Sequence, residues 1–473
     1  MSTVITSPAN PNDESSDPLL PSENNADDSV QSENVEPTGP VIEDVPPPAP
    51  PNRYFLPSAF YRIVWSARRI FEALATRLAI YVHAGVAVEI AFIGKDRGEL
   101  REVTPSAFRS RVEAIGELWK EGTDNRGRRI SRPSRCSEDT AKALLDTREA
   151  TELLPTITTV SASPVLTVDA DGKPRILPFG YHKDLGGLFV TKGAVVRDIP
   201  LKDAIEALLK LLKDFKFQTP ADKARAIAAL ISPAIVYGQL LGEARVPMFL
   251  VDANKSQAGK GYLLEIVAAI YGERPKIVVP RKGGVGSFDE DFNAALLRGC
   301  PFIMLDNLRG TLDSPHIESF LTAGGTFMAR TFRRAPADID PRHYIVFATS
   351  NRFETTPDME NRTLRISIYK RRQEHVFPKD LLADIRARQS FYLGCVFSVV
   401  SEWIAQGRQR TDEYRHSFRD WAQALDWIIV NLFKDQVDGR LMDYDLTSQS
   451  DKTDLAATLG FKKPDPAAPS SQN

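Results

Sequence analysis

The chain has 473 residues, 42% of them hydrophobic, with 60 Lys and Arg against 62 Asp and Glu and only three cysteines. That length allows two or three domains with a large buried core, and Cys136, Cys300 and Cys395, odd in number and far apart, exclude a disulfide scaffold. No Cys/His cluster has zinc spacing, the most apolar stretch (78–94) is too short for a membrane span and contains His83 and Glu89, and the first residues lack the basic and apolar regions of a signal peptide; a cytoplasmic protein with no membrane partner is expected.

The net charge of -2 conceals an asymmetry. Residues 1–52 hold ten acidic residues, no Lys or Arg, and eleven of the 33 prolines. So little apolar surface with a single sign of charge cannot offset the entropy of ordering, and the segment reads as a disordered acidic tail. Residues 53–473 carry 60 basic against 52 acidic side chains, a balance that admits an anionic partner without requiring one.

Residues 53–155 read as a mixed α+β region. Within 57–82, Arg62, Arg68, Arg69 and Arg77 interleave with aromatic and aliphatic residues at helical spacing. Arginine with aromatics can signal nucleic-acid contact, but an amphipathic helix with a solvated basic face is the commoner cause, and the segment reads as the latter. A strand over VAVEIAFIG, helices near 104–120 and 137–149, and a polar basic loop, KEGTDNRGRRISRPSR, complete the region. In 156–243, an Asp171-Gly172 turn marks a β-hairpin, followed by a helical lead-in. Residues 244–372 alternate the β runs VPMFLVD, KIVVP, PFIMLD and HYIVFATS with helical runs, the pattern of a parallel α/β sheet. A C-terminal helical domain over 373–445, with Trp403, Trp421 and Trp427 in its core, precedes a flexible tail at 446–473.

The strand VPMFLVDA runs into NKSQAGKG and then an apolar helix, the strand–loop–helix context of a phosphate-binding loop. The nucleotide-binding set is Asn254, Lys255, Ser256, Gln257, Ala258, Gly259, Lys260 and Gly261. Loop amides and the helix N-terminus face the phosphates, and the lysine reaches their oxygens. Two positions depart from G-x-x-x-x-G-K-[ST]. Asn254 stands at the first glycine, tolerable because asparagine also enters left-handed backbone. Gly261 stands where a hydroxyl would hold Mg²⁺, so Ser256 or a water is left to complete the ion's shell. The plain alternative is a strand–turn–helix junction with an incidental lysine.

Asp306 ends the strand PFIMLD, where a carboxylate would hold Mg²⁺ or its water, and Asn351 ends HYIVFATSN, where it could orient an attacking water. Ligands of open α/β sheets bind at the carboxyl ends of strands, and all three groups are expected there. Gly324-Gly325 and the following TFMARTFRR suggest a β-hairpin bearing Arg330, Arg333 and Arg334, either a solvated face or a grip on a phosphodiester backbone. Arg362 and Arg365 are each candidates for an arginine finger toward a neighbouring subunit's nucleotide, or for a structural ion pair.

In this order, QAGKG, FIMLDNLRG, FLTAGGTFMARTFRR, IVFATSNRF and DMENRTLRI resemble the ATPase module of superfamily 3 primase-helicases from phages, plasmids and integrative elements, over about 154–430. The resemblance implies an α/β fold with an AAA+-like core, ATP and Mg²⁺ as cofactors, a homo-oligomer in the form of a hexameric ring with sites between subunits, and translocation on single-stranded DNA. It assigns phosphate to Lys260, magnesium to Asp306, the sensor to Asn351, the finger to Arg362 and DNA contact to Arg330 with Arg333. The second Walker-B position, usually acidic, is Asn307, which removes the obvious general base and leaves Asp306 or another carboxylate such as Glu318. No primase carboxylate cluster is evident in 53–155, so priming would need a separate chain. A DNA helicase is the leading expectation. The alternatives are a catalytically weak nucleotide- and DNA-binding scaffold and, less favoured, a small-molecule P-loop kinase.

Overall fold

The computed structural model describes residues 52–94, 97–191, 195–279, 287–312, 314–331, 336–351, 354–371, 380–434 and 436–443; the expected acidic tail, apart from Asn52, and the whole of the expected C-terminal tail lie outside them. Its centre is a six-stranded sheet. In spatial order the strands are Lys216–Phe217, Thr363–Tyr369, Met248–Ala253, Ile345–Asn351, Phe302–Leu308 and Lys276–Val278. The first pairs antiparallel and the rest are parallel. Their residues are near-continuous apolar runs, as strands covered on both faces require; Met248 to Val251 and Ile345, Phe347 and Ala348 are fully buried.

Helices Leu201–Leu212, Pro220–Tyr237, Lys260–Ile270, Gln389–Ala405 and Arg419–Leu432 share the apolar core of that sheet. Trp403 and Trp421 are wholly buried there and Trp427 packs against it. The helix Pro220–Tyr237 begins with a capping box between Thr219 and Asp222, which satisfies two otherwise orphaned amides. The same Asp222 accepts from the Ser367 amide, while buried Arg225 donates to the carbonyls of Leu441 and Asp443. One helical turn thus ties the 441–443 segment to strand Thr363–Tyr369, the neighbour of Met248–Ala253.

Residues 53–154 build a second core from helices Ile63–Thr76, Pro105–Ile115 and Glu138–Leu145. Around them lie a three-stranded sheet of Tyr81–His83, Val86–Ile93 and Arg97–Glu102 and another of Arg53–Phe55, Glu117–Thr123 and Arg129–Pro133. Two expectations are corrected. The helix over 57–82 is limited to 63–76, and the basic stretch read as a loop forms an antiparallel hairpin, Glu117–Thr123 with Arg129–Pro133. Its turn is local chemistry: the Asp124 carboxylate accepts from the amides of Arg126 and Arg128, and Gly127 supplies the positive φ of 78°. The hairpin expected around Asp171-Gly172 joins Val165–Val168 to Pro174–Leu177. Among the described residues no helix is long and apolar enough to cross a membrane, and no group of three His, Cys, Asp or Glu could hold a metal ion.

Candidate nucleotide site and basic hairpin

Strand Met248–Ala253 leads into the loop 254–259 and helix Lys260–Ile270. The left-handed turn of the loop falls on Gln257 (φ 59°) and Gly259 (φ 92°), so the conformational reason offered for Asn254 does not apply. Asn254 instead accepts, through Oδ1, from the Lys370 amide at 3.1 Å, fastening the loop's first residue to the end of the neighbouring strand. Gly259 is required by its backbone, and a Cβ there would also lie 3.4 Å from the Phe215 ring. Lys255, Ser256 and Gln257 are exposed; Ala258 is half-buried against the core.

Lys260 opens the helix and is 9% exposed. Its Nζ donates to Asn351 Oδ1 at 2.7 Å. Burial lowers its pKa, opposed by the carboxylates of Asp252 and Asp306. The ammonium is thus partly desolvated, one amide oxygen away from its strand neighbour, in the field of two acids. A Cβ at Gly261 would meet nothing within 4 Å; the missing hydroxyl has room.

Asp306 lies where pairing of Phe302–Leu308 with Ile345–Asn351 breaks register between Leu305 and Leu308. Asn307 takes a positive φ of 58° and its side chain is exposed. The bulge re-aims the carboxylate. Thr349 Oγ1 donates to Asp306 Oδ1 at 2.6 Å and accepts from the Asn307 amide at 2.9 Å. Thr349, 2% exposed, stands two residues before Asn351 and so on the same face of the strand. Lys260, Asn351, Thr349 and Asp306 therefore lie at one rim of three adjacent strand ends. Thr349 and Asp252 were not singled out from the sequence. For Thr349 the signal was available, in its place two before a strand-tip asparagine.

Arg362 sits elsewhere. It immediately precedes strand Thr363–Tyr369, whose first residue pairs with Met248 and whose Ile368 pairs with Ala253. Arg362 is thus beside the amino-terminal end of strand Met248–Ala253, about 17 Å from the rim bearing Lys260. Its Nη1 is 3.0 Å from Glu318 Oε2, and the other oxygen of Glu318 accepts from Thr356 Oγ1 at 3.0 Å. Arg365 Nη1 lies 3.7 Å from Asp252 Oδ2.

The expected hairpin has strands Phe327–Ala329 and Ala337–Ile339, paired antiparallel. Arg330 directly follows the first of these strands and is exposed, and its carbonyl accepts from Asn293 Nδ2 at 2.8 Å. Asn293 Oδ1 is in turn 2.9 Å from His316 Nε2. Arg333 and Arg334 lie outside the described residues.

No family model matches the chain, and no curated protein sequence matches it. Solved structures with a similar course of chain include the NrS-1 C-terminal region, with a TM-score of 0.33 and 12% identity, covering 63% of this chain and 69% of that one. The SCCmec type IV Cch active helicase gives a TM-score of 0.31 and 13% identity over 80% of this chain and 73% of that one. The JCV helicase gives 0.21 and 12% over 44% and 65%. Overlaps of this size carry no functional argument, so function rests on the side chains themselves.

Proposed function

We propose that this chain is an ATP-dependent DNA motor, a mobile-element replication helicase of superfamily 3 type whose AAA+-like subunits form a hexameric ring on single-stranded DNA, with ATP at their interfaces and any priming supplied by a separate chain. The observation that carries this reading is the convergence of Lys260, Asn351 and Asp306 at one rim of a parallel sheet, with the Asn351 strand lying between the other two. The residues fit a magnesium nucleotide. Lys260 offers a partly desolvated cation at a helix N-terminus, and Asp306 offers a carboxylate whose orientation is held by Thr349.

In this reading Lys260 would hold the β and γ phosphate oxygens, and Asp306 would hold Mg²⁺ or a water on it; the ion, when bound, neutralises charge that develops as the phosphoryl group transfers. Asn351 can leave Lys260 for a water and orient it. Asn307 cannot take that water's proton, because an amide is not a base. Glu318 already serves Arg362 and Thr356, so Asp306 is left as the acceptor where it holds the ion only through a water, and turnover would otherwise be slow. Arg362, far from its own chain's rim, would act on the neighbouring subunit's nucleotide. Arg330, with Arg333 and Arg334, would grip the DNA backbone.

Asn307 and Gly261 favour a second reading, a scaffold that binds nucleotide and DNA with little turnover. The deciding experiment is ATPase activity with and without single-stranded DNA. Stimulated turnover that disappears in Lys260→Ala supports the motor, and nucleotide binding without turnover supports the scaffold. Unchanged DNA affinity in an Arg330→Ala/Arg333→Ala protein would remove the hairpin from the account.

A further inference from the structure

The three-stranded sheet Arg53–Phe55, Glu117–Thr123 and Arg129–Pro133 has two unlike faces. Alternation sends Leu118 into the N-terminal core, where it is 6% exposed. The other face carries Arg53, Phe55, Trp119 and Arg129, with Phe55 directly opposite Trp119. Phe60, Tyr61 and Trp65, just beyond the first strand, continue it: the Phe55 and Tyr61 rings are 5.4 Å apart, and those of Tyr61 and Trp65 are 5.5 Å apart. Of these five rings only Tyr61 is buried, at 3% exposure. Phe60 is 37% exposed, and Phe55, Trp65 and Trp119 are half-buried.

Each end of this aromatic row is overlaid by a guanidinium. Arg53 lies 4.3 Å above the Trp119 ring, Arg62 is 5.2 Å from that of Trp65, and Arg129 is 5.5 Å from that of Phe60. Two of these cations lean on carboxylates, Arg53 on Glu117 and Arg129 on Glu121. The charge around them is nonetheless one-sided: 53–65 and 117–135 together contain eight Lys or Arg against three Asp or Glu. Partly exposed rings with planar cations parked on them make a stacking platform in a positive field.

We propose that this face is a single-stranded nucleic-acid binding surface, distinct from the Arg330 hairpin. Unpaired bases stack on Trp119, Phe60 and Trp65, and phosphates take over the arginines from Glu117 and Glu121. Duplex bases are already stacked and offer no free faces, and an acidic polypeptide would use the charges without the rings. The surface extends the single-strand binding proposed above, and rests on that reading only for the choice of DNA over RNA.

The test uses the full chain carrying Lys260→Ala, Arg330→Ala, Arg333→Ala and Arg334→Ala, without nucleotide, so that neither the ATP site nor the hairpin arginines contribute. Fluorescein-labelled oligo(dT) and oligo(U) of ~20 nucleotides, a duplex of equal length and polyglutamate are titrated by anisotropy. Expected are tight binding of a single strand, a loss of about tenfold in affinity in Trp119→Ala with the salt slope unchanged, recovery in Trp119→Phe, and a slope shallower by ~1.4 in Arg53→Gln/Arg129→Gln. Preference for oligo(dT) or for oligo(U) identifies DNA or RNA as the source of the strand. Equal binding of duplex or polyglutamate overturns the proposal, as does unchanged affinity in both the Trp119→Ala and the Arg53→Gln/Arg129→Gln proteins. Far-UV circular dichroism and the thermal unfolding of the full chain report folding of each variant.

Discussion

The ammonium of Lys260 donates to the amide oxygen of Asn351 across 2.7 Å, joining the first turn of the helix after the 254–259 loop to the tip of the adjacent strand. If Lys260 binds phosphate as proposed, the phosphate must compete with that oxygen. Asn351→Asp replaces a neutral acceptor with a charged one in a partly desolvated place, so nucleotide affinity should fall in fluorescent-analogue titrations. Asn351→Ala frees the lysine, and should keep nucleotide affinity while turnover drops ~10²-fold.

Thr349 holds Asp306 and the bulge amide of Asn307 with one hydroxyl. Thr349→Val keeps the volume but leaves both partners unsatisfied, at a cost of about 1–3 kcal/mol. Thermal unfolding should shift down, and the magnesium concentration needed for half-maximal ATPase should rise. Thr349→Ser, which retains the hydroxyl, should restore the magnesium requirement; a purely steric role would leave it displaced.

Gly261 has open space beside its Cα, so a hydroxyl can be installed there without a clash. Gly261→Thr should lower the magnesium concentration needed for nucleotide binding and turnover. The same change also removes a glycine from a helix, which favours folding by a few tenths of a kcal/mol. Gly261→Ala separates the two effects, because it should raise stability alone.

Arg362 lies at the strand end remote from Lys260 and is paired with Glu318. If it completes a neighbour's site, mixing inactive Arg362→Ala subunits with inactive Lys260→Ala subunits should recover a fraction of wild-type ATPase activity. No recovery at any ratio would return Arg362 to a structural pair.

Glu273 is buried, accepts from the Ala162 amide at 2.8 Å, and has its pKa pushed up to about 7 by burial, with that hydrogen bond and Arg97 opposing and Glu99 adding. The folded state therefore holds a proton that the unfolded state releases near 4.5. The associated stability is complete below that value and is lost as pH rises through about 7, amounting to about 3 kcal/mol. Denaturant unfolding should show this decline between pH 4.5 and 7.5, and Glu273→Gln, which keeps an acceptor and cannot ionise, should flatten it.

The central sheet was legible because each buried parallel strand leaves a continuous apolar run, and the strand–loop–helix unit over 248–270 because its parts follow directly in the chain. Strand Thr363–Tyr369 was missed. Its alternating Arg365, Ser367 and Tyr369 read as polar, and only pairing with Met248–Ala253 makes it internal. The basic stretch at 120–135 was read as a loop because charge density hides alternation of strand faces. The aromatic face it shares with Arg53–Phe55 spans more than sixty residues of sequence and has no local signature.

By itself the sequence determined which residue types could do phosphate chemistry and that they end strands, since side-chain chemistry and hydrophobic runs are local properties. The tertiary structure decided which of them meet. Strand order put Asn351 between Lys260 and Asp306, a register break turned Asp306 toward Thr349, and parallel pairing carried Arg362 to the opposite end of the sheet. Those outcomes depend on which strands are neighbours and in what register, and pairing energies between distant segments leave no trace in any short window of sequence.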